Sequence, residues 1–169
     1  MESTVGNKVI VIGSPGSGKS TLSLRLAKLT HLPLIHLDNV WWKPDRTHVT
    51  REAFDLALQG IVEGDKWIID GSYSRTLEPR FAACDTVVFL DLGVEECLDG
   101  ITRRVGQTRP DIPWVEHELD PELVALVKAY PTGSRLAVYD MIAKYSDKQV
   151  IILRSLEEIE AWLSQIQQH

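Results

Sequence analysis

The sequence predicts an α/β chain in which a mostly parallel, five-stranded sheet carries helices on both faces. Two observations support this. Short apolar runs at residues 9–12, 34–37, 67–69, 86–90 and 150–153 are separated by stretches long enough to hold helices. The first run stops at a glycine-rich loop, residues 13–20, and the chain then restarts with the apolar content of a buried helix, Leu22, Leu24, Leu26, Ala27 and Leu29.

Size and composition set limits on this reading. With 169 residues, 44% of them hydrophobic and 25% charged, the chain suits one globular domain with a sizeable core. Its 18 Lys and Arg against 24 Asp and Glu give a formal charge of −6. Such a balance provides no general attraction to nucleic acid or to an anionic membrane, so direct nucleic-acid binding is not expected. No apolar run approaches the roughly 18 residues needed to span a bilayer. Residues 1–8 are short and polar and lead at once into the first strand, so no secretory signal is expected. Cys84 and Cys97 have no CxxC or histidine partner pattern, which suits two buried free thiols and a reducing, cytoplasmic setting. A monomer or homodimer is expected.

The first strand, around Val9 to Ile12, is β-branched and reads as buried on both sheet faces. The loop that follows, Gly13, Ser14, Pro15, Gly16, Ser17, Gly18, Lys19 and Ser20, fits G-x-x-x-x-G-K-[ST] between a strand and a helix. In such a loop the glycines let successive N–H groups turn inward onto phosphate oxygens, and the helix adds its positive N-terminal end. Lys19 can reach the β- and γ-phosphates and the Ser20 hydroxyl can ligate Mg²⁺. A nucleoside triphosphate, ATP with Mg²⁺, is the expected ligand.

The second strand, "LIHLD", ends at Asp38. Asp38 can act as a Mg²⁺-water ligand, as a general base for an acceptor hydroxyl, or as a cap on the next turn. His36 reads as a satisfied, partly buried histidine. Trp41 and Trp42 can fill core or wall a pocket for a planar ring. Thr50 can cap a helix from Arg51 to about Glu63, with Phe54, Leu58, Ile61 and Val62 inward. The third strand opens "WIIDGSYSR" and ends at Asp70, placed to hold Mg²⁺, although Asp-Gly is also a common turn dipeptide.

Gly93 precedes a helix carrying Val94, Cys97, Leu98, Ile101 and Val105, with Glu95 and Glu96 in its first turn. Asp120-Pro121 reads as a cap with proline at the first helical position. Ser155 and Glu158 form a capping box for a last helix whose apolar face is Leu156, Ile159, Trp162, Leu163 and Ile166. One domain spanning 1–169 is expected, with an acceptor-side insertion at about 39–66 and a lid-like segment at about 103–134.

Arginines concentrate after these elements: Arg75 and Arg80 follow the third strand, Arg103 and Arg104 end a helix, and Arg109 lies in "GQTRPD". Phosphoryl transfer spreads negative charge over equatorial oxygens, and bidentate guanidinium groups stabilise it. Helix-terminal arginines also face water and the macrodipole, which is an adequate reading for one of Arg103 or Arg104. Gly106 and Pro110 make residues 103–115 either a lid that excludes water or a static loop.

The phosphate loop, "HLDNVWWKP", "WIIDGSYSRTL", "DTVVFLDL" before a helix ending in Arg-Arg, "TRPD" and "VIILRS" together resemble the adenylate-kinase-like proteins of the DNA topology modulation family, from about residue 8 to 165. The resemblance implies a P-loop NTPase of three α/β/α layers, nucleoside-monophosphate-kinase-like, with sheet order 2-3-1-4-5 and an arginine lid. Carried over by position, it implies that Gly13 to Thr21, with Thr21 closing the motif, bind ATP phosphates. Arg103, Arg104 and Arg109 would be lid residues, and Arg75 would hold an acceptor phosphate. In true adenylate kinases the third strand continues Asp-Gly-Phe-Pro-Arg, whereas here Asp70-Gly71-Ser72-Tyr73-Ser74-Arg75 is one residue longer. Asp38 also resembles the strand-end carboxylate of kinases that phosphorylate hydroxyls of small metabolites.

The expected activity is ATP- and Mg²⁺-dependent phosphoryl transfer to a small acceptor. Lys19, Asp38, Arg103, Arg104 and Arg109 are the catalytic candidates, Asp38, Trp41, Trp42 and Arg75 the acceptor-binding ones, and Ser20 and Asp70 the metal ligands. A nucleotide is the leading acceptor, because the arginines suit a phosphate-bearing one, and Asp38 argues for the alternative, a hydroxyl of a small metabolite. An ATP-binding regulatory module linked to DNA topology is the alternative from another class.

Overall fold

The computed structural model describes residues 5–167. In chain order these form β1 (Lys8–Gly13), α1 (Lys19–Thr30), β2 (Leu34–His36), α2 (Leu37–Trp41), α3 (Arg51–Val62), β3 (Trp67–Asp70), α4 (Leu77–Ala83), β4 (Thr86–Leu90), α5 (Val94–Arg103), α6 (Pro121–Ala129), α7 (Ser134–Lys144), β5 (Gln149–Leu153) and α8 (Leu156–Gln167). Short 3₁₀ turns lie at Ser74–Thr76 and Tyr130–Thr132.

The five strands are parallel in the order β2-β3-β1-β4-β5. β1 sits in the middle, which is why its β-branched residues are apolar on both faces. Val9 and Val11 join a core with Leu22 and Leu26 of α1 and Trp162 and Leu163 of α8. Ile10 and Ile12 join the opposite core with Phe54 and Leu58 of α3, Phe81 of α4 and Val138 of α7. The alternation follows from the two-residue period of a strand.

The caps form largely as the sequence implies. The Ala53 N–H donates to Thr50 Oγ1 at 3.1 Å, and the Glu122 N–H donates to Asp120 Oδ1 at 2.9 Å with Pro121 at the first helical position. The Glu158 N–H donates to Ser155 Oγ, while the Glu158 carboxylate accepts from the Arg154 N–H, one residue earlier than a standard capping box. Both cysteines are free and buried.

Several boundaries differ from the sequence reading. The second strand stops at His36, because Leu37–Trp41 closes into a short helix, so Asp38 lies in the first turn of α2 rather than at a strand tip. α5 ends at Arg103 and leaves Val105 outside. Two helices are not anticipated. α4 contains Pro79, which reads as a breaker, but a first-turn N–H has no intrahelical acceptor and so proline costs little there. α7 buries Val138 yet leaves Leu136 51% exposed, so its apolar residues make no single stripe. No helix among the described residues is long and apolar enough to cross a membrane.

Arg80 belongs to this framework and is thereby removed from the set of arginines available to a ligand. It is fully buried on α4, where Nη1 donates to Gly71 O at 2.9 Å, Nη2 to Tyr73 O at 2.8 Å and Nε to Thr76 O at 3.3 Å. Burial pulls its pKa down to about 10. The guanidinium therefore supplies the donors that the irregular chain after β3 cannot find in a helix or sheet. Arg80→Met removes these donors from the loop carbonyls and is expected to cost on the order of 3 kcal/mol. Thermal unfolding should then fall by roughly 6–12 °C, and a drop under about 2 °C would show that the loop holds itself.

Candidate active site

The loop between β1 and α1 is shaped by backbone that side chains would obstruct. Gly16 has φ of 81° and Gly18 has φ of 90°, both in the left-handed region. A Cβ on Gly16 would lie 2.0 Å from the Cys97 carbonyl oxygen, and one on Gly100 would lie 2.0 Å from Gly16 O. α5 is thus packed backbone to backbone against the loop. Gly18 caps α1 without a side-chain bond, so the first N–H groups of that helix stay open to the loop's concave side. The Ser17 N–H and Lys19 Nζ both donate to Ser14 O, at 3.1 and 3.0 Å. The Ser17 hydroxyl is buried without a hydrogen-bond partner. Burial lowers the Lys19 pKa, while the charges of Asp38 and Asp70 oppose that fall and Arg104 adds to it.

The loop forms one wall of a cleft of about 1750 Å³ that also takes in Ser20, Thr21, Asp38, Trp42 and Asp70. Strand register sets the carboxylates: His36 lies opposite Asp70 on neighbouring strands, with Nδ1 2.6 Å from Asp70 Oδ2 and both side chains buried. Burial alone would lower the His36 pKa. The hydrogen bond to Asp70 and the charges of Asp70, Asp111 and Asp38 outweigh it, so the imidazole is held above its ordinary value. Asp38 accepts a hydrogen bond from the Tyr73 hydroxyl at 2.6 Å. Burial raises the Asp38 pKa against the pull of Tyr73 and Lys19, with Asp111 and Asp70 adding to the rise. The Ser72 hydroxyl donates to Gly13 O at 2.6 Å and ties the chain after β3 to the phosphate loop.

The segment between α5 and α6 closes the cleft from the other side. The Gly106 N–H donates to Glu116 O at 2.6 Å and draws the segment into a loop. Within it Arg104 Nε lies 3.6 Å from Glu116, and Arg109 lies 3.4 Å from Asp111 and 4.0 Å from Glu116. The loop rests on the segment after β2. Asn39 Nδ2 donates to Pro110 O at 2.7 Å, Trp42 and Trp114 meet edge to face at 5.4 Å, and the Arg46 guanidinium lies 5.5 Å from the Trp114 ring centre. The two insertion-like stretches of the sequence therefore touch each other across the cleft.

The structure brings together most, but not all, of the predicted site residues. Residues 15–21 of the loop, Asp38, Trp42, Asp70, Arg104 and Arg109 face one cleft; Arg103 reaches its rim, exposed, with Nε donating to Asp99 O at 3.3 Å. Trp41 and Arg75 stand apart. Trp41 stacks on His48 with ring centres 4.3 Å apart, and it lines a separate pocket of about 250 Å³ with Arg75. Arg75 makes two exposed bonds to Asp55, at 2.9 and 2.8 Å. Tyr73, Gly100, Asp111 and Glu116 are the site residues that the sequence reading passed over. Of these Tyr73 and Asp111 carried a signal, since they sit inside the "DGSYSR" and "GQTRPD" segments.

No family model and no curated protein matches the chain. Solved structures do. A shikimate kinase from Bacteroides thetaiotaomicron superposes with a TM-score of 0.59 at 19% identity, over 95% of this chain and 96% of that one. A protein of Chloroflexus aurantiacus, provisionally assigned as a kinase, superposes with a TM-score of 0.53 at 15% identity, over 97% of this chain and 99% of that one. At these identities the likeness speaks for architecture, and the chain has the fold of the P-loop kinases.

The Gly16–Gly100 contact gives a direct test of the loop. Gly100→Ala pushes α5 off the loop backbone and should weaken binding of an ATP analogue about tenfold, with the far-ultraviolet spectrum unchanged. Titration calorimetry reads this, and an unaltered affinity would mean that the loop absorbs the methyl group.

Proposed function

We propose that the chain transfers the γ-phosphoryl group of Mg²⁺-ATP to a hydroxyl of a small acceptor. The observation that carries this is the placement of Asp38: its carboxylate shares a cleft with Lys19 and the phosphate loop, is fixed by Tyr73, and lies under the lid arginines. The loop fits a polyphosphate, since the open N–H groups of α1, the Lys19 ammonium and the bare Gly18 offer donors and room. Ser20 and Asp70 are the residues that would hold Mg²⁺. Among the described residues no three His, Cys, Asp or Glu side chains converge as a metal cage, which suits an ion held mainly by phosphates and water. When bound, Mg²⁺ neutralises charge on the transferring phosphates.

The chain's own groups account for the remaining steps. Loop N–H groups and Lys19 orient the donor, and Arg104 and Arg109 meet charge that develops on the equatorial oxygens. The acceptor oxygen forms its bond to the γ-phosphorus as the bond to the β–γ bridging oxygen breaks and ADP leaves. Asp38 takes the hydroxyl proton and returns it to solvent. Its raised pKa brings it closer to the operating pH, where a general base is most effective. The lid, packed on Trp42 and Asn39, keeps out water as a competing acceptor.

A nucleotide acceptor, the leading expectation from the sequence, loses two of the five arginines counted for it. Arg80 is committed to loop carbonyls and Arg75 to Asp55 outside the cleft. A DNA-linked regulatory role has less support still, because Arg104 and Arg109 turn inward and pair with Glu116 and Asp111.

Asp38→Asn is expected to lower kcat by roughly 10²–10³-fold while the KM for ATP stays near its original value. Coupled ADP release across hydroxyl-bearing metabolites and nucleoside monophosphates, with Lys19→Ala as blank, measures both. Stimulation by a monophosphate that survives Asp38→Asn would refute the hydroxyl reading. Tyr73→Phe removes a bond that holds the Asp38 pKa down, so that pKa rises further. The base works as the carboxylate, present above its pKa and lost as pH falls through it. The acid limb of the kcat profile should therefore move to higher pH in Tyr73→Phe.

A further inference from the structure

Asp111 is a lid residue that neither the phosphate loop nor the transfer step explains. It is only 4% exposed, it lines the cleft, and its Oδ1 is buried without a hydrogen-bond partner. The nearest cation is Arg109, whose Nε lies 3.4 Å away, and that guanidinium also faces Glu116 at 4.0 Å. Asp111 and Asp38 come from opposite walls of one cleft, one from the segment after α5 and one from α2, and the Asp111 charge helps to raise the Asp38 pKa. Two like charges brought together in a partly dry site are unfavourable unless a donor or a cation lies between them.

The other charged groups nearby have duties of their own. Lys19 donates to the phosphate loop, Arg104 pairs with Glu116, His36 pairs with Asp70, and Arg46 is held over Trp114. Once Lys19, Arg104 and Arg109 turn to donor phosphates, as the proposed reaction requires, Asp111 loses its ion-pair partner. A buried carboxylate in that position needs a replacement. In the proposed reaction the acceptor lies in the cleft between these two carboxylates, so an ammonium group on the acceptor itself would supply the missing charge.

We propose that Asp111 is a specificity-determining residue of the acceptor subsite, receiving with Asp38 the ammonium group of a hydroxylated amine such as an amino sugar or aminocyclitol. The inference rests on the kinase reading above, because it assigns the acceptor of that reaction. Asp111 binds the acceptor's charged group, Asp38 serves the hydroxyl, and the lid carries the selecting residue down with it.

The test compares glucosamine and 2-deoxystreptamine with glucose and glucuronate, reading coupled ADP release and calorimetric binding in the presence of Mg²⁺-ADP. The amines should be preferred in kcat/KM, and Asp111→Asn should raise their KM about tenfold or more, a loss that glucose does not share. Asp111→Glu should recover part of the loss. Preference for glucose or glucuronate, or an Asp111→Asn effect equal for all acceptors, would overturn the subsite and leave the kinase reading standing. Amine binding that depends on Asp111, with no turnover of any acceptor, would retain the subsite and sink the kinase reading. Neither binding nor turnover would overturn both.

Discussion

Everything in this molecule follows from the parallel register around β1. Val11 lies opposite Asp70, His36 opposite the same Asp70, and Gly13 opposite Leu90. Because all the strands point one way, their carboxyl ends finish along one edge, and the chain must turn there before it can form its helices. The turns after β1, β2 and β3 are where the phosphate loop, Asp38 and Tyr73 sit. A one-residue slip of β3 would turn Asp70 to the opposite face and separate it from His36. Core packing on both faces of β1 resists such a slip, so the apolar residues that take no part in chemistry are what align the residues that do.

The same edge concentrates charge, and the protein handles each charge differently. Arg80 is neutralised by geometry, its donors spent on main-chain carbonyls. Asp70 is matched with His36, whose Nδ1 lies 2.6 Å from its carboxylate. Asp38 has only a hydroxyl, and Asp111 only an arginine shared with Glu116. The gradient runs from fully compensated charges in the framework to partly compensated ones at the acceptor end. A buried charge left short of partners is costly, and the place where that cost is tolerated marks where a ligand supplies the balance.

How much of this was legible in the sequence depends on the range of the interaction. The loop between β1 and α1, the strands apart from the end of β2, and the caps at Thr50 and Asp120 are written in contiguous residues, and these form where expected. Asp38 was identified, but its element was not, because a three-residue strand running directly into a five-residue helix has too little length to show either period. Arg75 and Arg80 could not be sorted, since a buried guanidinium and an exposed one look alike in a string of letters. Gly100 was invisible, and Asp111 was quoted only beside Arg109, for a related reason: one matters because a loop 84 positions earlier touches it, the other because the segment after α5 folds back.

The lid's anchorage adds a last constraint. Its contacts are made chiefly with Asn39, Trp42 and Arg46, all within the segment that begins with α2. Asn39 is adjacent to Asp38, and Asp38 is held in turn by Tyr73 from the chain after β3. Lifting the segment would therefore break a contact one residue from the candidate base. At its other end it continues from α5, which presses Gly100 onto Gly16 of the phosphate loop. Donor site, lid and acceptor carboxylate are thus joined in one mechanical circuit, with rigid backbone contact at the phosphate end and side-chain contacts at the acceptor end. In the proposed reaction the end held by side chains is the one that would open, which would make the acceptor side the point of substrate entry.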